Sequence, residues 1–439
     1  MIIFFINRFN DIDHMVPIVY RMAKDTKEKL VVLSLNPLYD ISNDFRLNYL
    51  KDRYNIPISY LYNYYAPSKL YKFFGNLVCN TYLRGSFKKN IYVCLQSFNL
   101  NSIKQKRFQE SAFHLMSGLF RGIIVRSKLL KKFIKKFFNK KWAEGLFKSL
   151  KPSVLVFDPA SQLRLYNVAS LLWAAKHLRI PTIDVPHGMP IYVKHPPLYN
   201  KAWMDAIKTD KDYQVVNHRF WKDECVNSGL NTEKITVLGS VRFCKDWENI
   251  LHQIIPPDIS LSDKGAGKMK VVYMDRGADR HGKYKGIVEN SIKKIESLDF
   301  VHLLFKPQTR SNKLFMDLPP SVEISYCNSV NLIKWSDVAI ILQSSIMIEA
   351  LLQDKVVIYP RFFHGDKTIF EEFGACWTVD SYEELEDALK TLKKNPTYKP
   401  YSNSNIERFL TEVVYNGEYG RDILGNYKDF ILEVSKGYG

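Results

Sequence analysis

A chain of 439 residues, 46% hydrophobic and 25% charged, has the composition of two ordinary globular domains or one very large one, which excludes general disorder and low-complexity architectures. No apolar run approaches the roughly 18–20 residues that span a bilayer. Of the net charge of +18, nearly all lies in one half: residues 1–150 hold 26 Lys/Arg against 9 Asp/Glu, and 151–439 hold 37 against 36. A uniform nucleic-acid binder would not concentrate its charge this way, although a basic arm could.

The start, Ile2–Ile6, reads as a buried first strand, because Asn7-Arg8 ends the apolar run too early for a signal peptide. Helical spacing of Met15, Val19 and Met22 predicts a helix over Asp13–Lys24, followed by a strand at Leu30–Leu35. A polar helix from Asp44 to Tyr54 and a strand at Ile56–Leu61 complete a β-α-β-α-β order, which argues for a parallel doubly wound sheet. From about 68 to 150 the pattern turns helical and basic. Val154–Phe157 resumes as a strand, Ser161–Leu178 as a helix and Thr182–Val185 as another strand. Further short buried strands are predicted at Gln214–Val216, Ile235–Leu238, Val271–Met274, Val301–Phe305, Val338–Leu342 and Val356–Tyr359. Helices fall at Lys283–Leu298 and Ser345–Gln353, and Ile254–Lys270, with two Pro and two Gly, is the best linker. Six cysteines (Cys79, Cys94, Cys225, Cys244, Cys327, Cys376) form no C-x-x-C pair, so neither a disulfide framework nor a zinc ribbon is suggested, and a cytoplasmic protein is expected.

Parallel sheets bind ligands beyond the carboxyl ends of their strands, so residues just after each strand carry the functional reading. Ser344-Ser345 falls on a strand-to-helix turn, where hydroxyls and free amides suit a phosphate; Glu349, one turn on, could reach a ribose. Lys306 and Arg310 follow one strand, Gly239-Ser240-Val241-Arg242 another, and Asp275-Arg276 a third, together describing a basic rim for an anionic ligand. Neither a P-loop nor a G-x-G-x-x-G sequence occurs, which counts against P-loop and NAD chemistry. In the first half, Asp158 and His187 sit on successive strand tips, a pairing suited to proton transfer or nucleophilic work. Asp184 points either inward or into the cleft. His195, His281 and His302 lack ligand-like spacing and read as structural or surface residues.

These residues resemble the GT-B glycosyltransferases that build bacterial capsule and lipopolysaccharide, most nearly the Kdo transferases, which are related to polysialyltransferases and CDP-glycerol glycerophosphotransferases. The resemblance rests on Pro186-His187-Gly188, Gly239-Ser240-Val241-Arg242, the Lys306-Pro307 turn and the helix start Ser344 to Ala350, and covers about residues 150–390. The chain departs at Gln308, where a His is commonly expected, with Lys306 and Arg310 to compensate. The resemblance implies CMP-Kdo as leading donor, another nucleotide-activated sugar as the broader expectation, and a glycan or lipid-linked acceptor in O-antigen or other surface polysaccharide biosynthesis. It implies retention of configuration, hence a carboxylate acting directly on the sugar. Asp158, His187 and Asp275 are then the catalytic candidates, and Arg242, Arg276, Lys306, Arg310, Ser344, Ser345 and Glu349 the donor-binding ones. No metal and no cofactor beyond the donor co-substrate is implied.

The expected architecture is α/β GT-B: an acceptor domain at 1–190 with a basic insertion at about 68–150, a nucleotide-sugar domain at 191–400, and a tail at 401–439 returning to the first domain. Within 121–151, Leu130, Ile134, Phe138 and Trp142 recur every four positions between lysine pairs. One aromatic face and one cationic face, with Lys131, Lys132, Lys135 and Lys136 outward, read as a peripheral helix on an anionic membrane surface. Competing readings are a CDP-glycerol-type glycerophosphotransferase, a sugar-nucleotide epimerase and, from a different class, a basic nucleic-acid-binding protein, whose affinity would fall steeply with salt.

Overall fold

The computed structural model describes residues 1–7, 9–36, 39–72, 75, 136–159, 168–193, 211–276, 284–308, 316–363 and 366–437. They build two wholly parallel sheets. The first contains β1 (Ile2–Ile6), β2 (Leu30–Ser34), β3 (Ile58–Tyr60), β4 (Val154–Phe157), β5 (Thr182–Asp184), β6 (Tyr213–Val216) and β7 (Ile235–Val237), in the order 3-2-1-4-5-6-7. The second contains β8 (Met269–Met274), β9 (Val301–Lys306), β10 (Glu323–Ile324), β11 (Val338–Ile341), β12 (Val356–Pro360) and β13 (Trp377–Val379), in the order 10-9-8-11-12-13. Each sheet reverses its winding once, between β1 and β4 and between β8 and β11, and such switch points open a crevice at the strands' carboxyl ends. The α/β two-domain expectation holds.

The continuous apolar strands follow from burial on both faces. Along β1, Ile2, Phe4 and Ile6 join one core with Met15, Val19 and Met22 of the helix Phe9–Asp25, while Ile3 and Phe5 join another with Leu155 and Phe157. The register Phe4↔Val32 and Phe4↔Val156 aligns the three central strands, so their tips share one edge. Two strands escape the sequence pattern: β10 is only two residues long, and β13 alternates Trp-Thr-Val with half-buried neighbours.

The boundary expected at 190 moves. β6 pairs with β5 and β7 with β6 in the first sheet, so the segment from Tyr213 to Val237 belongs to the first domain and not the second. The crossover comes after Val237, where Gly239 adopts φ +91° and the tail closes over it. The Ser240 amide donates to the Val414 carbonyl at 2.8 Å, and the Tyr427 hydroxyl donates to the Gly239 carbonyl at 3.0 Å. The tail helix Ile423–Lys436 packs on the first helix, where Arg21 meets Asp422 at 2.6 Å, while Phe409 stacks near Phe370 of the second domain.

The membrane reading gains no support from the described part of its helix. Phe138 and Trp142 are buried against Tyr62, Phe5 and Phe157, and the helix Lys140–Leu150 spends its apolar stripe on the first domain's core. Its Trp142 indole N–H donates to the Tyr65 carbonyl. Lys136 is exposed; Lys131, Lys132 and Lys135 lie outside the described residues. No helix among the described residues is long and apolar enough to cross a membrane.

A Cβ on Gly239 would lie 2.5 Å from Ile423 Cδ1 and 2.6 Å from the Val414 oxygen, whereas one on Gly267, also at positive φ, meets nothing within 4 Å. Gly239→Ala should therefore cost about 2–4 kcal/mol in urea unfolding and Gly267→Ala about 1 kcal/mol. Equal losses would show that the tail does not clamp the crossover.

Candidate functional site

The first constellation forms at the β1/β4 switch point. Asp158 follows β4 directly and is fully buried; both its oxygens contact His187 Nδ1, at 2.7 and 2.9 Å. Asp11, in the first turn after β1, places Oδ1 3.4 Å from the same nitrogen and accepts the Asn7 amide through Oδ2 at 2.8 Å. Burial alone would lower the His187 pKa, but the charge of Asp158, its hydrogen bonds to Nδ1 and the nearby charge of Asp11 outweigh it and lift it to about 9. At neutral pH the ring is an imidazolium whose Nδ1 is committed to Asp158.

This arrangement corrects the expected role of Asp158. A carboxylate with no exposed surface and both oxygens on an imidazole orients that imidazole; it is not presented to a sugar for direct attack. Asp184 resolves inward, as a buried ion pair with Lys211.

The second constellation forms at the β8/β11 switch point. Arg276, two residues past β8, donates from Nη1 to the Tyr192 hydroxyl at 3.0 Å and toward Gln343 Oε1 at 3.4 Å; Tyr192 also donates to Gln343 Oε1 at 2.9 Å. Gln343 holds φ +39°, a left-handed conformation uncommon for a residue with a side chain, at the turn after β11. Ser344 and Ser345 follow, and Ser345 heads the helix Ile346–Leu352 without a side-chain capping bond. Lys306, at the end of β9, is 3% exposed, and among the described residues no carboxylate pairs with it. Burial lowers its pKa. Asp275 stands beside Arg276, its amide bonded to the Lys306 carbonyl. Arg310 lies outside the described residues, as do His195 and His281.

Tyr192 connects the two constellations. It lies five residues after His187, at most roughly 18 Å of extended chain, and pairs with Thr368 of the second domain in an antiparallel bridge. The Ile369 amide donates to the Ile191 carbonyl at 2.8 Å and the Val193 amide to the Lys367 carbonyl at 3.1 Å, so this loop is stitched across the cleft.

Two expected donor ligands are placed elsewhere. Arg242 is buried among Glu248 (2.6 Å), Glu349 (3.1 Å) and Asp13 (3.7 Å). Glu349 is fully buried and accepts from Arg242, His252 (3.0 Å) and Gln353 (2.6 Å), so its carboxylate is committed to this cluster rather than presented to a ribose. Both residues tie the crossover to the helix behind Ser345. Among the described residues, two groups of metal-capable side chains converge, Asp11/Asp158/His187 and Glu248/His252/Glu349. In each, a protein cation already occupies the centre, the His187 ring or the Arg242 guanidinium, and neutralises the carboxylates.

Sequence reasoning missed Asp11, Tyr192 and Gln343. Asp11 was readable had the first helix been started at Phe9, directly after β1; the roles of Tyr192 and Gln343 depend on contact across the cleft and leave no local pattern.

No protein-family model matches the sequence, and no curated protein does. Solved structures match along the whole chain. The S. aureus MnaA structure with UDP superposes with a TM-score of 0.53 at 11% identity, over 100% of this chain and 96% of that one. A UDP-N-acetylglucosamine 2-epimerase gives 0.52 at 12% identity, covering 100% and 97%. Anabaena HepE in complex with UDP and glucose gives 0.51 at 11% identity, covering 99% of each. The likeness is one of fold: the chain has the GT-B architecture.

Because its folded pKa lies above the ordinary imidazole value of 6.5, protonated His187 stabilises the fold fully below about pH 6.5 and the contribution is lost as pH rises through about 9. Asp158→Asn should move the His187 ring titration, followed by NMR, down by one unit or more while the fold is retained. An unshifted titration would mean that Asp158 does not set the charge of His187.

Proposed function

We propose that this protein is a nucleotide-sugar enzyme that breaks the anomeric C–O bond of its donor and transfers the glycosyl group to an acceptor hydroxyl. The observation that carries this reading is Lys306: a buried lysine with no carboxylate partner among the described residues, at the carboxyl edge of the second sheet, in a fold shared with proteins solved with UDP. A buried cation without a counter-charge is costly unless a ligand supplies one, and a nucleotide phosphate supplies it. Arg276, held by Tyr192 and Gln343, adds a second donor group, and Ser344, Ser345 and their turn a third. As the donor's bond breaks, negative charge grows on the leaving phosphate, and preorganised cations there lower the barrier without reorganising.

The acid–base role falls to His187. Its resting form carries a proton on each nitrogen, so it first donates a hydrogen bond to an oxygen of the reacting groups; activity governed by that form declines above about pH 9. Asp158 and Asp11 hold the ring, and Asp275 remains the carboxylate nearest the proposed phosphate site in sequence.

Epimerisation is the second reading, and the full-length likeness to a UDP-N-acetylglucosamine 2-epimerase favours it. Both reactions expel the nucleotide, but inversion at C2 must also break a C2–H bond. Incubation with UDP-GlcNAc in D2O without acceptor separates them: deuterium at C2 marks an epimerase, and acceptor-dependent nucleotide release marks a transferase. CMP-Kdo, the donor the sequence resemblance implies, and CDP-glycerol belong in the same panel.

Thermal-shift screening against UDP, CMP, CDP and GDP tests the phosphate site directly. Lys306→Met should fold at least as stably as the parent, because it removes an uncompensated buried charge, and should lose the nucleotide-induced rise in Tm. A nucleotide response preserved in the variant would overturn the assignment.

A further inference from the structure

Three buried polar atoms from residues around His187 have no hydrogen-bond partner among the described residues: Asp11 Oδ1, His14 Nδ1 and Asn217 Oδ1. Their residues are 0%, 4% and 0% exposed. Such atoms are rare in folded proteins and each one costs stability, so three around one imidazole need a physical cause. Each is tied to the same spot. Asp11 Oδ1 lies 3.4 Å from His187 Nδ1, whose proton is directed at Asp158. Asn217, just after β6, uses its amide N–H to hold the Gly188 carbonyl at 2.7 Å, which fixes its amide orientation and leaves the oxygen unused. His14 is three residues beyond Asp11 on the same helix face, near enough for the His187 charge to act on it.

We infer that the tips of β1, β5 and β6 form a subsite for the hydroxyl groups of a sugar, contacted by His14, Asn217 and Asp11 and closed by His187. The chemistry of the unused atoms selects the ligand. Asp11 Oδ1 and Asn217 Oδ1 can only accept, so the missing group must donate, and a phosphate has no proton to give at neutral pH. Two carboxylates at the same place repel a phosphate further. A hydroxyl donates and accepts, which suits the carboxylate, the amide oxygen and a neutral imidazole together. His14 is kept neutral by burial first, then by the positive charges of His187, Arg242 and Arg46, which lower its pKa to about 3. Two imidazoles in one wall are thus driven to opposite states, one charged and one neutral. The subsite deepens the proposed function and rests on it for the identity of the sugar, though not for the preference for hydroxyl over phosphate.

The test compares His14→Leu and His14→Gln with the wild type, using UDP, UDP-glucose and UDP-GlcNAc as probes in calorimetry. A merely structural His14 would leave all affinities alone, and the leucine variant should keep or gain Tm because it removes an unpartnered buried group. The subsite predicts that the leucine variant binds the better nucleotide sugar about tenfold more weakly, or worse, with UDP affinity unchanged, and that glutamine recovers part of the loss. Equal binding of the nucleotide sugar by wild type and leucine variant overturns it. If the wild type binds none of these probes, the phosphate reading fails separately, and the subsite is then decided by NMR of the His14 and His187 rings with glucose, N-acetylglucosamine or inorganic phosphate. Shifts with a sugar support the subsite; shifts with phosphate alone, or with none of the three, overturn it.

Discussion

The relation between the two sheets depends on the burial of one guanidinium. Arg242 sits immediately past the crossover, with Asp13 of the first helix on one side and Glu248 and Glu349 on the other. Taking that charge out of water would cost several kcal/mol if any partner were missing, so the carboxylates must be brought together from three separate elements. The surrounding carboxylates and Arg46 extend the network: Arg46 is buried against Asp13 and Asp44, and His252 closes the far side against Glu349. Arg242 is held above its ordinary pKa against the cost of burial by Glu248, Glu349 and Asp13. The helix bearing Glu349 is headed by Ser345, so this network fixes where that turn points.

With the sheets fixed, the two crevices acquire opposite character. In the first, the positive ring of His187 is balanced by two carboxylates, and what remains unsatisfied are acceptor atoms. In the second, among the described residues, no carboxylate pairs with Lys306 and Arg276 is held by the neutral Tyr192 and Gln343, which leaves positive charge there. A donor with a phosphate at one end and hydroxyls at the other is complementary to both at once.

Much of the fold was legible because buried parallel strands are written as continuous apolar runs. Ile2–Ile6 and Val154–Phe157 were read at their observed bounds, and the strand-tip rule led directly to Asp158, His187, Arg276, Lys306 and Ser344. What misled was the assumption that a charged residue after a strand faces solvent or ligand. Arg242 and Glu349 sit in the right places for donor contacts, yet their charges satisfy each other, and only three-dimensional pairing reveals that. The lysine-flanked stripe from Phe138 to Trp142 failed for a related reason: periodicity shows that one helix face is apolar, not which apolar surface covers it, and here the first sheet does. Gly239 belongs to a segment expected on the rim of an anionic ligand; its positive φ instead lets the chain's own tail approach the crossover.

The tail and the Tyr192 loop close the molecule at different points and so constrain different motions. The tail clamps Gly239 and Ser240, beside Arg242, and joins the first helix to the second domain. The Tyr192 loop crosses at the carboxyl edges of the strands, through its bridge to Thr368 and the bonds of its hydroxyl to Gln343 and Arg276. Buried, charge-assisted contacts resist opening more than a single bridge and a tyrosine hydroxyl do. Because Tyr192 bonds Arg276 directly and follows His187 by five residues, this one side chain ties the two crevices together.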